Sequence, residues 1–359
     1  MLFHVNNAGI SVIGALACLL RCNSVMQPNS FPDKHQSAPF FSLANQTFSS
    51  DMAQVSYVCP SLRQKTNAFR GGLAGRWEKD AQHGCTYCEI NAGFITTVAE
   101  EEATGLPMHA MLTPAAVHTL YGEGKRLPDG VRYLLNTESS FPHTDRFGTR
   151  HPAAVLRWDD RVWLIEFVQM LILISAHLGK PADVIVIHPG KAHNMTFSAI
   201  ARAMWYIRNA YADACGTVPA VLIQNGYPSL IQSGDDIREF WQTIQTQAPE
   251  CCDTCGVLFD PMALQSAAHH ANVSLSTYLS ALPANALKGF FMRPDGGDKK
   301  GDDAIPWDSI FRAIRMLPHD AIVIPDIRRP DEIKEILARC RMGCTPVETV
   351  EEADQPTIS

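Results

Sequence analysis

Polar and ionisable side chains follow most of the short apolar runs in this sequence. In chain order they are Glu89 and Asn91, His109, Asn136 and Glu138, His188, Gln224 and Asn225, Asp260, Arg293 and Asp295, and Asp326. Imidazole and carboxylate groups that converge on one place can bind a divalent metal, which polarises a substrate oxygen or activates water. Taken singly, each is more typical of the start of a solvated loop. The pattern therefore predicts chemistry only if the fold brings these residues together.

The apolar runs that precede these residues have the length and boundaries of β-strands. We predict strands over 86–92, 106–112, 131–137, 183–188, 219–224, 256–260, 287–292 and 321–325. Amphipathic helices are predicted between the later strands, over 160–178, 196–214, 235–247, 261–282, 307–317 and 330–341. Strand–helix units of roughly 35 residues are what right-handed β–α–β crossovers require.

Eight such units predict a closed (β/α)8 barrel, the TIM barrel. The alternative is a doubly wound open sheet, which normally has fewer strands and a glycine-rich phosphate loop after the first. Neither GxGxxG nor GxxxxGK[ST] occurs in the sequence. In a TIM barrel the chemistry lies at the carboxyl ends of the strands. The barrel therefore predicts that the polar strand-end residues share one rim.

Composition and charge narrow the class of protein. The 359 residues are 46% hydrophobic and 19% charged, which excludes a disordered or fibrous protein. The formal charge of -7 excludes a uniformly basic nucleic-acid-binding surface, although a local basic groove stays open. We interpret residues 1–55 as a flexible leader or targeting segment, residues 56–345 as the barrel and residues 346–359 as an acidic tail.

No membrane span is predicted. The apolar stretch 162–178 is interrupted by Glu166, Gln169 and His177, so we interpret it as a buried helix. The apolar run near the amino terminus is too short to cross a bilayer. These features predict an intracellular protein, cytoplasmic or nuclear, with a targeting segment as one interpretation of its first residues.

The eleven cysteines favour reduced thiols over a disulfide scaffold, because the number is odd and the chain is long. Two Cys-x-x-Cys pairs, Cys85/Cys88 and Cys252/Cys255, have the spacing of half a zinc site. Each pair adjoins a predicted strand, whose alternate side chains point to opposite faces. We therefore interpret them as buried structural thiols, with zinc as the alternative.

Several strand ends resemble those of the xylose-isomerase-like TIM barrels, and most of all the endonuclease IV family. They are VIVIHPGKAHN (184–194), VLIQNGYPSL (221–230), GVLFDPMAL (256–264) and LKGFFMRPDGG (287–297). HGCTYCEINAGFI (83–95) is similar to the first strand of the related sugar isomerases and epimerases. The resemblance covers roughly residues 75–340. It implies a TIM barrel and two chemistries: hydrolysis of a phosphodiester beside an abasic site by a three-metal cluster, or sugar isomerisation.

The resemblance also implies that the metal cluster is reduced or absent. His188 and Asp260 match metal-ligating positions of the family, whereas Gln224 stands where the family has a bridging Glu. Other ligand positions are occupied by residues without charge: Gly130, Ala263, Phe291 and Pro325. Closely spaced cations need anionic or imidazole ligands to offset their repulsion. A single zinc or manganese ion held by His188, Asp260 and one of His193, Glu138 or Gln224 stays open.

The sequence thus predicts a divergent endonuclease IV-like barrel whose mouth binds a phosphorylated or sugar-like ligand, DNA included, with phosphodiesterase activity reduced or lost. Glu138 and Gln224 are the predicted catalytic residues. The predicted ligand-binding residues are Glu89, His109, Asn136, Asn225, Arg293, Asp295 and Lys299. A sugar isomerase or epimerase with one divalent metal and a non-catalytic scaffold barrel are the alternatives. Whether the protein is an enzyme is left open.

Overall fold

The structure is a computed structural model that describes residues 54–59, 83–92, 127, 129–137, 143–144, 150–151, 156–190, 195–294, 304–327 and 330–345. Eight parallel strands close into a barrel. They are β1 (Val55–Cys59), β2 (Tyr87–Ala92), β3 (Arg132–Thr137), β4 (Val184–Ile187), β5 (Ala220–Gln224), β6 (Cys255–Phe259), β7 (Leu287–Met292) and β8 (Ala321–Pro325). Each strand pairs with the next, and β8 pairs with β1, so the predicted TIM barrel is confirmed.

The first strand of the barrel was not predicted as a strand. Strand β1 joins β8, with Tyr57 opposite Val323, and β2, with Cys59 opposite Cys88. The strand predicted over 106–112 lies outside the described residues, and β2 pairs directly with β3. The segment HGCTYCEINAGFI therefore carries the second strand of this barrel, and its expected match to a first strand is wrong.

Among the described residues, seven α-helices follow or connect the strands. They are α1 (Arg161–Leu178), α2 (Phe197–Cys215), α3 (Gly234–Gln247), α4 (Pro261–Ala271), α5 (Leu275–Ser280), α6 (Trp307–Arg315) and α7 (Ile333–Cys344). Side chains cap the amino ends of five of them, α1 to α5. The Asp160 carboxylate accepts from the backbone of α1, and Ser233 and Asp236 form a reciprocal capping box at α3.

The single helix predicted over 261–282 is two helices. Asn272 adopts a left-handed conformation with φ 53° and ends α4, its N–H donating to carbonyls of the last turn. Ser274 then caps α5 by accepting from the Thr277 N–H. Asparagine tolerates this conformation better than most residues, so one side chain divides the apolar stretch into two helices.

Side chains alternate between the two faces of each strand, and this alternation divides the apolar core into two layers. Inside the barrel lie side chains that include Val58, Tyr87, Leu134, Val184, Val186, Leu222, Leu258, Ile322 and Ile324. The alternate side chains point outward into the larger core beneath the helices. Helix α1 is long and apolar enough to span a membrane, but 56% of it is buried in this core. Its Trp163 and Phe167 rings stack on each other and meet Trp158 edge-on.

We predict that the barrel interior tolerates no added methyl group at Gly289. A Cβ at this position of β7 would lie 2.9 Å from both Ile322 Cγ1 and Leu258 Cδ1. Gly289→Ala is expected to lower the free energy of unfolding by about 1–3 kcal/mol, measured by urea denaturation. Gly130→Ala is the control, because its Cβ would meet nothing within 4 Å. Equal stability of the two variants would contradict the interior placement of Gly289.

Candidate functional site

A set of polar residues continues the interior face of the barrel at the carboxyl ends of its strands. Successive strand side chains alternate between faces, so the residue two positions beyond an interior side chain returns to the interior face. Counting from interior residues such as Leu134, Leu222 and Leu258 gives one set, which we call the inner rim: Glu89, Asn136, His188, Gln224, Asp260, Arg293 and Asp326. The barrel mouth is the opening that this rim surrounds. Parallel pairing puts the predicted His188 and Asp260 at the same end of the barrel.

On one side of the inner rim, Glu89 and Asn136 form an acid–amide pair. Asn136 Nδ2 donates to Glu89 Oε1 at 2.6 Å, and Glu89 is only 5% exposed. The other amide atom, Asn136 Oδ1, is buried and accepts no hydrogen bond from any described residue. A buried acceptor without a donor costs about 1–3 kcal/mol. A hydroxyl group of a ligand would supply the missing donor.

On another side of the rim, Asp260 is held by three donors. Its Oδ1 accepts from the backbone N–H groups of Met262 (2.9 Å) and Ala263 (3.1 Å), so it caps α4. Gln224 Nε2 donates to Oδ2 at 3.3 Å. This is a second acid–amide pair, formed between the ends of β5 and β6. The carboxylate is therefore fixed in one orientation, with the remaining lone pairs of Oδ2 available to a ligand.

Asn225, which follows Gln224, joins the ends of β5 and β6 through two hydrogen bonds, which together we call the latch. Its Oδ1 accepts from the Asp260 N–H at 2.6 Å, and its Nδ2 donates to the Asp260 carbonyl at 3.0 Å. Asn225 is 1% exposed. Because both of its amide atoms are used in the latch, Asn225 acts on the site by positioning Asp260.

Burial sets the protonation behaviour of Asp260. Loss of solvent raises the pKa of this carboxyl to about 6, and the negative charge of Asp326 acts in the same direction. The hydrogen bonds from Ala263, Met262 and Gln224 oppose this rise by stabilising the ionised form. A carboxyl group with a pKa this close to neutrality can accept a proton and return it.

Two other members of the rim, His188 and Arg293, are also anchored. His188 is 7% exposed, and its carbonyl accepts from Trp158 Nε1 at 2.8 Å, which fixes the end of β4. Arg293 forms an ion pair of 3.5 Å with Glu332, and the two side chains are only 11% and 12% exposed. Arg293 thus places a positive charge on the same rim as Glu89 and Asp260.

Five predicted site residues lie outside the described residues: Glu138, His109, His193, Asp295 and Lys299. They stay predictions. Between β3 and α1, His143–Thr144 pairs antiparallel with Arg150–His151.

Two functional features were missed by sequence reasoning. Glu332, the partner of Arg293, lies in the 3-10 turn Pro330–Glu332 after β8, where nothing in the spacing marks it. The pairing of Glu89 with Asn136 was also missed, although each residue had been predicted to bind ligand. This pairing could have been predicted only from the register between β2 and β3, which the sequence does not reveal.

The described donor set does not fit a metal cluster. Among the residues that the structure describes, no three His, Cys, Asp or Glu side chains are placed to hold a metal ion. Asp260 already caps a helix, and its neighbour at the rim is the neutral Gln224. Zinc or manganese bound by His188 and Asp260 would need a third ligand, such as the predicted His193 or Glu138, from outside the described residues.

Comparisons with known proteins concern the fold alone. No protein-family model and no curated protein matches the chain. A xylose isomerase domain containing protein from Salmonella typhimurium LT2 has a TM-score of 0.47 at 10% identity, covering 82% of this chain and 99% of its own. D-psicose 3-epimerase has a TM-score of 0.41 at 13% identity, covering 79% of this chain and 88% of its own. The IolI protein with a binding zinc atom has a TM-score of 0.43 at 14% identity, covering 80% of this chain and 95% of its own. The barrel assignment itself comes from the strand pairing.

We predict that Asp260 makes the stability of the protein fall as pH rises. The folded pKa of about 6 lies above the ordinary 3.8, so the folded state holds a proton in this interval that the unfolded state has released. The contribution is therefore fully present below about pH 4 and is lost as pH rises through 6. The difference between the two pKa values corresponds to roughly 3 kcal/mol in the free energy of unfolding. Asp260→Asn keeps the capping oxygen and should lack this fall in urea denaturation between about pH 4 and pH 7.

Asp160→Asn is the matched control for this prediction. Asp160 also caps a helix through two backbone N–H groups, those of Val162 and Trp163, and the bond from Val162 is exposed to solvent. It reports the effect of an aspartate-to-asparagine cap exchange by itself. Parallel pH profiles for wild type and Asp260→Asn would show that Asp260 is not desolvated.

Proposed function

We propose that the barrel mouth binds a sugar-like, polyhydroxylated ligand. The observation that supports this most directly is the presence of two acid–amide pairs on the inner rim, Glu89 with Asn136 and Gln224 with Asp260. Each hydroxyl group both donates and accepts a hydrogen bond, and a carboxylate beside an amide offers both partners. The buried Asn136 Oδ1 has no donor within the part of the chain that the structure describes. Adjacent hydroxyl groups of one ligand would satisfy these atoms together.

The ligand carries a phosphate or another anionic group in this proposal. Arg293 supplies a fixed positive charge on the same rim, held by Glu332 at 3.5 Å. A guanidinium binds phosphate oxygens through two parallel N–H donors, so an incoming phosphate would take over part of the interaction with Glu332. The predicted Lys299 would add a second cation at the mouth.

Proton transfer on a bound sugar is the chemistry we propose if the protein is an enzyme. Asp260 is partly buried, is oriented by three donors and has a pKa of about 6, which suits a general base near neutral pH. Isomerisation and epimerisation of sugars need such a base, and Glu89 is a second carboxyl on the rim. Phosphodiester hydrolysis by a metal cluster is less well supported, because Gln224, Ala263 and Phe291 supply no charged ligand.

We predict that Asn136→Ala weakens ligand binding. Isothermal titration calorimetry with a panel of ketoses, aldoses and their phosphates should find a ligand for the wild type. Loss of the amide removes a donor and an acceptor, so the dissociation constant should rise by about tenfold or more. Asn209→Ala is the matched control on helix α2, outside the barrel, and should bind as the wild type does.

The outcomes of this titration separate the alternatives. Absence of binding to every sugar and sugar phosphate would contradict the proposal and favour a scaffold barrel. If a ligand is found, NMR in deuterium oxide can follow exchange of its C–H protons. Exchange that is present in wild type and lost in Asp260→Asn would assign an isomerase or epimerase reaction.

The single-metal alternative has its own test. Gln224→Glu puts a second carboxylate beside Asp260, so the affinity for zinc or manganese should rise by about tenfold or more if the site descends from a metal cluster. Affinity is measured by competition with a chromogenic chelator. Gln242→Glu adds the same charge at an exposed position on α3 and is the control. Unchanged affinity in Gln224→Glu would count against equating Gln224 with the bridging Glu of the family.

A further inference from the structure

The turn before β6 places three cysteines at the end of the barrel opposite the inner rim. Cys251 ends the 3-10 turn Pro249–Cys251, Cys252 follows it, and Cys255 is the first residue of β6. The Thr254 N–H donates to the Cys251 carbonyl at 3.0 Å and folds the chain back. As a result the thiols of Cys251 and Cys255 lie in hydrogen-bonding contact.

The contacting pair is not the pair that the sequence spacing suggested. The Cys-x-x-Cys motif joins Cys252 to Cys255, but the thiol that forms a hydrogen bond with Cys255 is that of Cys251. Cys251 and Cys255 are both fully buried, whereas Cys252 is partly exposed. The motif therefore misidentifies one of the two thiols.

The surroundings make the two sulfur atoms unequal. Arg208 reaches the turn from α2, and its Nε donates to Thr254 Oγ1 at 2.7 Å. The hydrogen bond from Cys255 and the charge of Arg208 lower the pKa of the Cys251 thiol. The same hydrogen bond, together with burial, raises the pKa of Cys255. Of the two thiols, Cys251 is therefore the one whose ionised form is favoured, and Cys255 is the one whose protonated form is favoured.

The turn that carries Cys251 lies at the surface of the protein. The flanking residues Pro249, Glu250 and Asp253 are exposed. Opening of this one surface turn would admit a small oxidant without disturbing the barrel strands.

We propose that Cys251 and Cys255 form a reversible disulfide, with hydrogen peroxide as the oxidant. The Cys251 thiolate attacks one peroxide oxygen and breaks the O–O bond, which gives a sulfenic acid and, after protonation, water. The Cys255 sulfur then attacks the Cys251 sulfur, the S–O bond breaks, and a second water leaves. Two thiols are oxidised to one disulfide while peroxide is reduced to two waters. A dithiol such as dithiothreitol returns the pair by thiol–disulfide exchange.

Peptide mapping tests this site directly. The full chain is treated with hydrogen peroxide, quenched in acid, denatured, alkylated with iodoacetamide and digested with trypsin. Residues 239–288 form one tryptic peptide whose only cysteines are Cys251, Cys252 and Cys255. We expect this peptide to lose two hydrogen atoms and to carry one alkyl group, on Cys252. Dithiothreitol before alkylation should restore three alkyl groups.

Single substitutions identify the bonded pair. Cys252→Ser, which changes the partly exposed thiol, should still form the disulfide, whereas Cys251→Ser and Cys255→Ser should not. The Cys252→Ser variant keeps the test decisive if a buried substitution prevents folding. A disulfide lost in Cys252→Ser, or three alkylated thiols in the oxidised wild type, would overturn the proposal.

Discussion

Closure of the strand ring by pairing of β1 with β8 is the constraint on which the rest of the structure depends. A closed parallel ring leaves no unpaired edge and forces every strand to present one face to the interior and one to the helices. It also gathers the carboxyl ends of all its strands at one opening. The polar rim is thus a consequence of closure: Glu89 and Asp260 belong to distant parts of the sequence, yet both follow an interior side chain on the same face of the barrel.

Within that frame Asp260 has two functions that conflict. As the cap of α4 it stabilises a helix, and Asp–Pro is a favourable start for one. As a partly buried carboxylate near Asp326, its ionised form costs free energy at neutral pH, and this cost raises its pKa. The latch through Asn225 holds the backbone of Asp260 in place despite this cost. Residues that are kept in a costly state by several supporting bonds are typical of functional sites.

Much of the fold could be predicted because most strands carry their own signal. Strands β7 and β8 were predicted to the residue, since continuous apolar runs bounded by polar residues mark them clearly. Strand β1 was not, because its five residues follow a segment without periodicity and are stabilised mainly by pairing on both sides. The rim residues could be named from strand ends, but their contacts depend on register, helix ends and loops. Asn136 with Glu89, and Arg293 with Glu332, are pairs of that kind.

The two ends of the barrel differ in how their polar groups are satisfied, and this difference supports a function at the mouth. Near the amino ends, Tyr133 and Tyr211 are buried but share Ser175 as a hydrogen-bond partner and also bond the chain before β4, at the Lys180 carbonyl and the Ala182 N–H. These groups complete one another within the protein. At the carboxyl ends, Asn136 Oδ1 has no donor among the described residues, and the pKa of Asp260 is raised toward neutrality. The second arrangement lacks partners among the described residues, and the hydroxyl groups of the ligand that we propose would supply them.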